Sequence, residues 1–364
     1  MFFSALRTLS FRNLADGEVD TRGKDVFLVG ENGQGKTNFL EAVYFCSYAS
    51  SFRGAADAEL VHNGGKSCSA AAQFRDSMYD QVLITFENGR KSAYLDGKRV
   101  EDRRDLLSVV PCIVFCHEDM EFVAGSPERR RWFFDQNQSL YDPLYLEDLR
   151  KYRQVLKSRN ALLKRAKAGT GDAPLQTMLD ILDPQLARYG LPLMEKRQEA
   201  AEHFSATFGP LYEQAAGIDR IEVSYRSSWK ETTLPEIIAA LQKHREQDIS
   251  SGITLAGPHR DRYVFNRDGL EFCNKASTGQ RRLLALLLRV AQAQRFSEIT
   301  GKHPVLLLDD VLLELDPEKR RKFLSVMPAY DQAFYTFLPE EPFQRYRKAD
   351  TLVYYVTNGT IQQA

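Results

Sequence analysis

Eight residues near the start of the chain have the types and spacing of a phosphate cradle. Gly30-Glu31-Asn32-Gly33-Gln34-Gly35-Lys36-Thr37 fits G-x-x-x-x-G-K-[ST] and lies between an apolar run and a segment of helical spacing. Glycines let the backbone turn its N–H groups inward around phosphates, and the helix that follows adds its positive N-terminal end. In such a loop Lys36 reaches the β- and γ-phosphates and the Thr37 hydroxyl ligates Mg²⁺. The expected nucleotide-binding set is Gly30, Asn32, Gly33, Gln34, Gly35, Lys36, Thr37 and Asn38, and the expected ligands are ATP and Mg²⁺. A chance glycine-rich turn would not need the strand before it and the helix after it.

A phosphate loop of this kind also needs a carboxylate on its metal, at the end of a buried strand beside the pocket. Val305-Leu306-Leu307-Leu308-Asp309-Asp310 supplies one. Asp309 is the expected metal partner, with several waters kept on the ion. Asp310 is placed to orient or deprotonate the attacking water, the expected catalytic role. The bland reading is an exposed Asp pair capping the next helix. Lys36 and Asp309 are 273 positions apart, more than a compact nucleotide kinase needs, so an insertion must emerge from the nucleotide-binding core.

Between them stands Ser277-Thr278-Gly279-Gln280-Arg281, ahead of the apolar stretch Leu283 to Val290. Small residues at a helix N-terminus suit an anion, yet Ser277 or Thr278 would serve equally as an ordinary N-cap. From the segment alone the capping reading is the simpler.

The elements that must position these residues have an α/β pattern. Asp25 to Val29 reads as a strand and Thr37 to about Ser47 as a helix, with apolar residues at Phe39, Leu40, Val43 and Tyr44. Gln81 to Glu87 alternates, Asn88-Gly89 and Asp96-Gly97 offer turns, and Ala93 to Leu95 continues, which is an antiparallel meander. Cys112 to Phe115 reads as a buried strand. From about Ser126 to Asp248 the texture is long, charged and helical, with a loop at Gly169-Thr170-Gly171-Asp172-Ala173-Pro174. Strand, helix and strand return at Arg262 to Phe265, Gln280 to Phe296 and Val305 to Leu308. The expected organisation is a head in two parts, residues 1–122 and 251–364, around a helical insertion at 123–250.

Length and composition agree with this. A chain of 364 residues with 43% hydrophobic content suits a large domain with a smaller second one. No run approaches the roughly 18 apolar residues of a membrane span, and the start lacks a signal pattern, so the expected location is the cytoplasm. Five cysteines without paired CxxC spacing read as reduced thiols. Whole-chain charge is balanced, 49 basic against 49 acidic residues. One stretch departs from that balance: Arg150 to Gly171 holds eight basic residues and no acidic one.

Taken together, the phosphate loop, the Ser-x-Gly-Gln segment and the Asp-Asp strand end resemble the ABC-type ATPases of the DNA-repair branch, which also holds the SMC and Rad50 proteins. Within that branch the pattern is most similar to the RecF family of recombination mediators. The resemblance is carried by Leu9-Ser10-Phe11-Arg12-Asn13, Gly33-Gln34-Gly35-Lys36-Thr37-Asn38, Ser51-Phe52-Arg53, Gly125-Ser126-Pro127 with Arg129-Arg130-Arg131, and Arg159-Asn160-Ala161-Leu162-Leu163-Lys164. It continues through Gly257-Pro258-His259-Arg260-Asp261, Gly279-Gln280-Arg281 and Leu306-Leu307-Leu308-Asp309-Asp310-Val311 with Glu314-Leu315-Asp316.

This resemblance implies an ABC-type head, a mixed sheet with an antiparallel β subdomain, and an inserted α-helical lobe without long coiled coils. It implies a homodimer closed by ATP, in which Ser277 and Gly279, with Gln280 beside them, approach the γ-phosphate held by the second copy. That reverses the preference for simple capping. Glu314-Leu315-Asp316 would line the seam, and a weak, DNA-stimulated ATPase would reopen the dimer. The implied partners are double-stranded and gapped DNA and mediators resembling RecR and RecO, with recombinase loading as the outcome. Other readings are an ATPase subunit of a transporter and a scaffold that binds nucleotide without turnover. The pattern departs from the family at Leu313, where serine is common, and at Cys116-His117, where Ser-Pro is usual. Its threonine-rich stretch is reduced to Thr336, and the γ-phosphate sensor is unassigned.

For DNA, Arg153, Lys157 and Lys164 are the expected contacts, because Lys157, Asn160 and Lys164 share one helical face with Arg153 preceding them. A solvated helix surface is the plain alternative. Arg129-Arg130-Arg131 could pair with acids inside the lobe, and Gly257 to Asp261 could meet phosphate or brace a turn.

Overall fold

The computed structural model describes residues 1–102, 104–107, 109–169, 175–312 and 315–364. Most of the expected loop at 169–174 and the seam residues Leu313 and Glu314 lie outside the described residues. The chain divides into two compact units, Met1–Asp119 with Leu288–Ala364, and Met120–Leu287.

The first unit contains two six-stranded sheets. One runs, edge to edge, Thr360–Gln363, Thr351–Thr357, Asp25–Val29, Gln332–Phe337, Val305–Leu308 and Cys112–Phe115. All are parallel except the C-terminal edge strand, Thr360–Gln363, which closes a hairpin on its neighbour. Strands 25–29, 305–308 and 112–115 are buried along their whole length, which is why each reads as a continuous apolar run rather than an alternation. The second sheet is antiparallel, with 17–20, 2–9, 67–75, 81–87, 90–95 and 98–99 in that order. Its strands alternate because one face is wet, as in 67–75, where Cys68, Ala70, Ala72 and Phe74 turn inward.

Helix Lys36–Tyr48 lies between the two sheets, and Phe39, Leu40, Val43 and Cys46 join Ala70, Ile84, Leu307 and Phe334 in one core. Its residues are apolar on more than one side because both sides are covered. It starts at Gly35, in the left-handed region with φ 116°, and stops at Ala49, φ 47°.

The second unit is mostly helical: Pro127–Ser139, Pro143–Lys167, Leu175–Ala216, Leu234–Lys243 and Arg245–Ser251. Helices 127–139 and 143–167 start with a cap, Ser126 and Asp142, followed by proline at the first turn, where its missing N–H costs nothing. The texture expected to be helical throughout contains a strand, Ile221–Arg226, which pairs antiparallel with Arg262–Arg267.

Buried ion pairs organise this unit. Arg197 bonds Asp135 at 2.8 Å and Asp261 at 3.1 Å. Arg159, fully buried, bonds Asp183 at 2.8 Å and Asp248 at 2.7 Å. Arg159 therefore leaves the expected basic stripe. Its acidic partners come from distant segments, which a run of local sequence cannot reveal. Lys151 likewise pairs with Glu147 one turn back, and Arg153 with Asp135.

Candidate functional site

The phosphate loop leaves the end of strand 25–29, whose last peptide continues the ladder when Gly30 N–H donates to Phe337 O at 3.1 Å. A Cβ at Gly30 would stand 2.4 Å from Val356 O, so glycine is required there for close backbone approach. Among the described residues, the N–H groups of Gly33, Gln34, Gly35 and Lys36 donate to no protein acceptor. Lys36 is 3% exposed, and its Nζ donates to Gly30 O at 2.6 Å and Glu31 O at 3.1 Å. Among the described residues no carboxylate pairs with it, so a buried cation and unengaged N–H groups face the same loop. That donor set fits the phosphates of a nucleotide.

Parallel pairing of 305–308 with 332–337 and 112–115 carries Asp309 and Asp310 to the same end of the sheet as the loop. Thr37 Oγ1 donates to Asp309 Oδ1 at 2.9 Å, so the two expected metal ligands are adjacent. Both are hard oxygen donors, as Mg²⁺ demands. Thr336 stands between the carboxylates. Its Oγ1 accepts from Asp310 N–H at 2.7 Å and lies 2.7 Å from Asp310 Oδ1 and 3.2 Å from Asp309 Oδ1. A hydroxyl has one proton, so the shorter contact takes it and Asp310 is held in place. Asp310 itself is left-handed, φ 52°, a conformation that non-glycine residues adopt where neighbours impose it.

Asp309 has its carboxyl pushed up to about 6, first by burial and then by the adjacent Asp310, against the hydrogen bond from Thr37. A carboxyl whose folded pKa exceeds its unfolded value binds its proton more tightly in the fold. The nucleotide-free protein therefore loses stability as pH rises from about 4 through about 6. Asp309→Asn keeps an oxygen for Thr37 and removes the charge. It should stabilise the nucleotide-free protein near pH 8 by up to about 3 kcal/mol, and much less near pH 5, while abolishing Mg²⁺-dependent turnover. Calorimetry at the two pH values checks this; an equal gain at both would refute the electrostatic account.

Two asparagines and a glutamate complete the surroundings. Asn13 Nδ2 donates to Gly33 O at 3.1 Å, and Asn38 Nδ2 donates to Asn13 Oδ1 at 2.7 Å. Asn38 thus braces the loop from inside the helix. Buried Glu41 takes Arg12 through Nε at 2.9 Å, together with Arg53 and Ser51, and these hydrogen bonds outweigh burial to hold its carboxyl below the ordinary value. Asn13 and Thr336 were not expected at the site. Asn13 precedes the loop by two strands, 17–20 and 25–29, and Thr336 faces the carboxylates only through the strand pairing.

The remaining expected residues are placed as follows. In the second unit Ser277 caps helix Thr278–Thr300: its Oγ accepts from Gln280 N–H at 3.2 Å, and Gln280 Oε1 accepts from Ser277 N–H at 2.8 Å. That reciprocal pair is a capping box. Ser277 and Gly279 are exposed, and Asn32 is exposed in the first unit. Asp316 caps helix Pro317–Ser325. Arg153, Lys157 and Lys164 are exposed on helix 143–167, and among the described residues Lys157 and Lys164 make no ion pair. Asn160, expected on their face, instead accepts from Thr254 N–H and Oγ1, both at 2.8 Å. Arg130 pairs with Glu271 and Arg131 donates to Asp261 O.

The Gly257 to Asp261 segment braces a turn. Asp261 is buried against Arg197, Tyr225 and the Ser228 N–H. His259 Nε2 lies 2.9 Å from Thr254 O and Nδ1 lies 2.7 Å from Tyr152 Oη. A carbonyl partner requires Nε2 to carry the proton, and burial pushes the imidazole down to about 4, so the ring is neutral near pH 7.

Comparison with known proteins agrees with these features. A family model described as RecF/RecN/SMC N terminal domain matches residues 2–362. The DNA replication and repair protein RecF of Treponema pallidum (strain Nichols) is 41% identical over 360 residues, covering 98% of this chain and 100% of that protein. RecF of Clostridium kluyveri is 31% identical, covering 89% of this chain and 90% of its own length. Among solved structures, the recombination mediator protein RecF-ATP of the RecFOR pathway superposes with a TM-score of 0.89 at 27% identity, over 100% of this chain and 97% of that one. An Smc head bound to the C-winged helix domain of ScpA gives 0.55 at 16% identity over 100% and 97%, a likeness of fold. The fold is that of an ABC-type ATPase head with a helical insertion, and the chain belongs to the RecF family.

Proposed function

We propose that the chain is an ATP-dependent DNA clamp of recombinational repair, which binds and slowly hydrolyses ATP, dimerises on it and holds duplex DNA near single-strand gaps. The observation that carries this reading is that Lys36 and Thr37 of the phosphate loop lie at the end of the parallel sheet where Thr37 bonds Asp309 and Thr336 bridges Asp309 and Asp310. Backbone N–H groups of Gly33, Gln34, Gly35 and Lys36 receive the phosphates, and Lys36 exchanges its two carbonyl partners for phosphate oxygens. Thr37 and Asp309 would hold Mg²⁺, which would supply positive charge against the charge that develops on the phosphates. Asp310, oriented by Thr336, positions the attacking water and takes its proton.

The site needs a second copy. Ser277 and Gly279 stand at an exposed helix N-terminus, with Ser277 already capped, and in the closed dimer they address the γ-phosphate held across the seam. Closure brings the exposed cations Arg153, Lys157 and Lys164 of two helical units to bear on one duplex. Partners resembling RecR and RecO then assist recombinase loading, as the RecFOR pathway of the structural relative suggests.

The test is sedimentation with a gapped duplex, in ATP and in ADP, for the parent protein, Lys36→Met and Lys157→Gln/Lys164→Gln. The parent should dimerise and bind DNA more tightly in ATP, and Lys36→Met should not respond. Losing two phosphate contacts should lower the slope of log affinity against log salt by about 1.8. Equal DNA affinity for parent and Lys36→Met in every condition would eliminate the clamp mechanism.

A further inference from the structure

The most tightly specified neighbour of the phosphate loop is a segment more than 300 positions away. Strands 351–357 and 360–363 are joined by Asn358 and Gly359, both left-handed at φ 48° and 79°, the two-residue Asn-Gly turn whose twist matches that of a hairpin. A solvent-facing turn would need nothing further. This one is docked: successive N–H groups of the turn bind both acceptors of a single loop residue. Asn358 N–H donates to the Gln34 side-chain oxygen at 2.6 Å, and Gly359 N–H donates to the Gln34 main-chain oxygen at 2.8 Å.

Gly359 is buried, and its own carbonyl accepts from Ala15 N–H at 2.9 Å. A Cβ at Gly359 would lie 1.8 Å from Asn13 O and 3.1 Å from Leu14 Cα, both main-chain atoms that cannot step aside cheaply. Asn13 in turn holds Gly33 O, and its Oδ1 would stand 2.9 Å from a Cβ at Gly35. The loop is therefore gripped on its carbonyl side by the hairpin tip and by Asn13. With Gly33 O and Gln34 O committed outward in this way, the peptide planes around them turn their N–H groups toward the phosphate side.

We infer that the Asn358-Gly359 hairpin tip is a positioning device for ATP binding, clamping Gln34 so that the phosphate loop is formed before nucleotide arrives. Gln34 then acts through its carbonyl oxygens on the hairpin, with its main-chain N–H alone available to phosphate. This rests on the nucleotide-binding reading of the loop. Preorganisation removes an ordering cost from binding, so loosening the clamp weakens affinity without removing any atom that touches the nucleotide.

The experiment measures ATP affinity together with amide hydrogen exchange of the hairpin loop, residues 358 and 359, and of strand 305–308, without nucleotide, in the parent, Gly359→Ala and Gln34→Met. Gly359→Ala introduces the clash, while Gln34→Met removes only the side-chain acceptor and supplies the test should Gly359→Ala fail to fold. The expected result for Gln34→Met is ATP affinity about tenfold weaker, the worth of one hydrogen bond, with a larger loss for Gly359→Ala. Exchange should accelerate at residues 358 and 359 and stay slow at 305–308. ATP affinity and hairpin exchange equal to the parent in both variants would overturn the inference. So would exchange that accelerates equally in hairpin and core, which marks a general loss of stability. If the parent itself fails to bind ATP while its hairpin exchange is slow and the variants release it, the clamp stands and the proposed function falls.

Discussion

Asp310→Asn should bind ATP as tightly as the parent protein and hydrolyse it at least about 100-fold more slowly, the lower end of what a positioned general base contributes. The substitution preserves volume and the oxygen facing Thr336, and it removes the capacity to take a proton. Its main-chain N–H still reaches Thr336 Oγ1, so the left-handed conformation at φ 52° survives. Single-turnover phosphate release with a separate nucleotide-binding titration separates the two parameters. Because hydrolysis reopens the proposed dimer, the variant should also persist as a dimer in ATP. A variant that turns over like the parent would strip Asp310 of the role given to it, and absence of turnover in both proteins in the presence of DNA would leave the chain a nucleotide-binding scaffold.

The second large effect lies in the helical unit. Arg197→Met should destabilise it by about 3–5 kcal/mol, because it leaves buried Asp261 without a cation and buried Asp135 with only the exposed Arg153. Arg197 is 2% exposed and holds Asp135, Asp261 and Pro258 O, the last at 2.6 Å. Through Asp261 it also fixes the turn that begins at Gly257. Adding Asp135→Asn and Asp261→Asn to Arg197→Met should recover part of the loss, since the penalty comes from the charges left behind. Urea unfolding followed by Trp229 fluorescence, a buried reporter in the same unit, measures both. A triple variant no more stable than the single one would mean that Arg197 acts through packing alone.

Most of the core elements were legible because their signals are local. An apolar run of five ending at Gly30, and another of four ending at Asp309, can be little other than buried strands beside a pocket. Strand Ile221–Arg226 was missed although Ile221, Val223 and Tyr225 alternate, because six residues of alternation drown in a long charged helical texture.

The basic stripe shows the opposite failure. Arg153, Lys157, Arg159 and Lys164 look alike in sequence, yet Arg159 is a core residue and the lysines are exposed. What separates them is Asp183 and Asp248, carboxylates that reach Arg159 only once three helices pack. A basic residue's role depends on who neutralises it, and that is not a property of its neighbours in the chain.

By itself the sequence determined the phosphate loop, the Asp-Asp strand end, three of the six strands of the sheet that carries them and the family, because each depends on residue types at short spacing. Only the tertiary structure decided which distant groups meet them. Thr336 reaches Asp309 and Asp310 through a parallel pairing of strands, and Asn13 reaches Gly33 and Gly359 reaches Gln34 from opposite ends of the chain. The loop's glycines announce that backbone will bind phosphate. What holds that backbone in place is a hairpin 324 residues away, set there by sheet order, which no local pattern encodes.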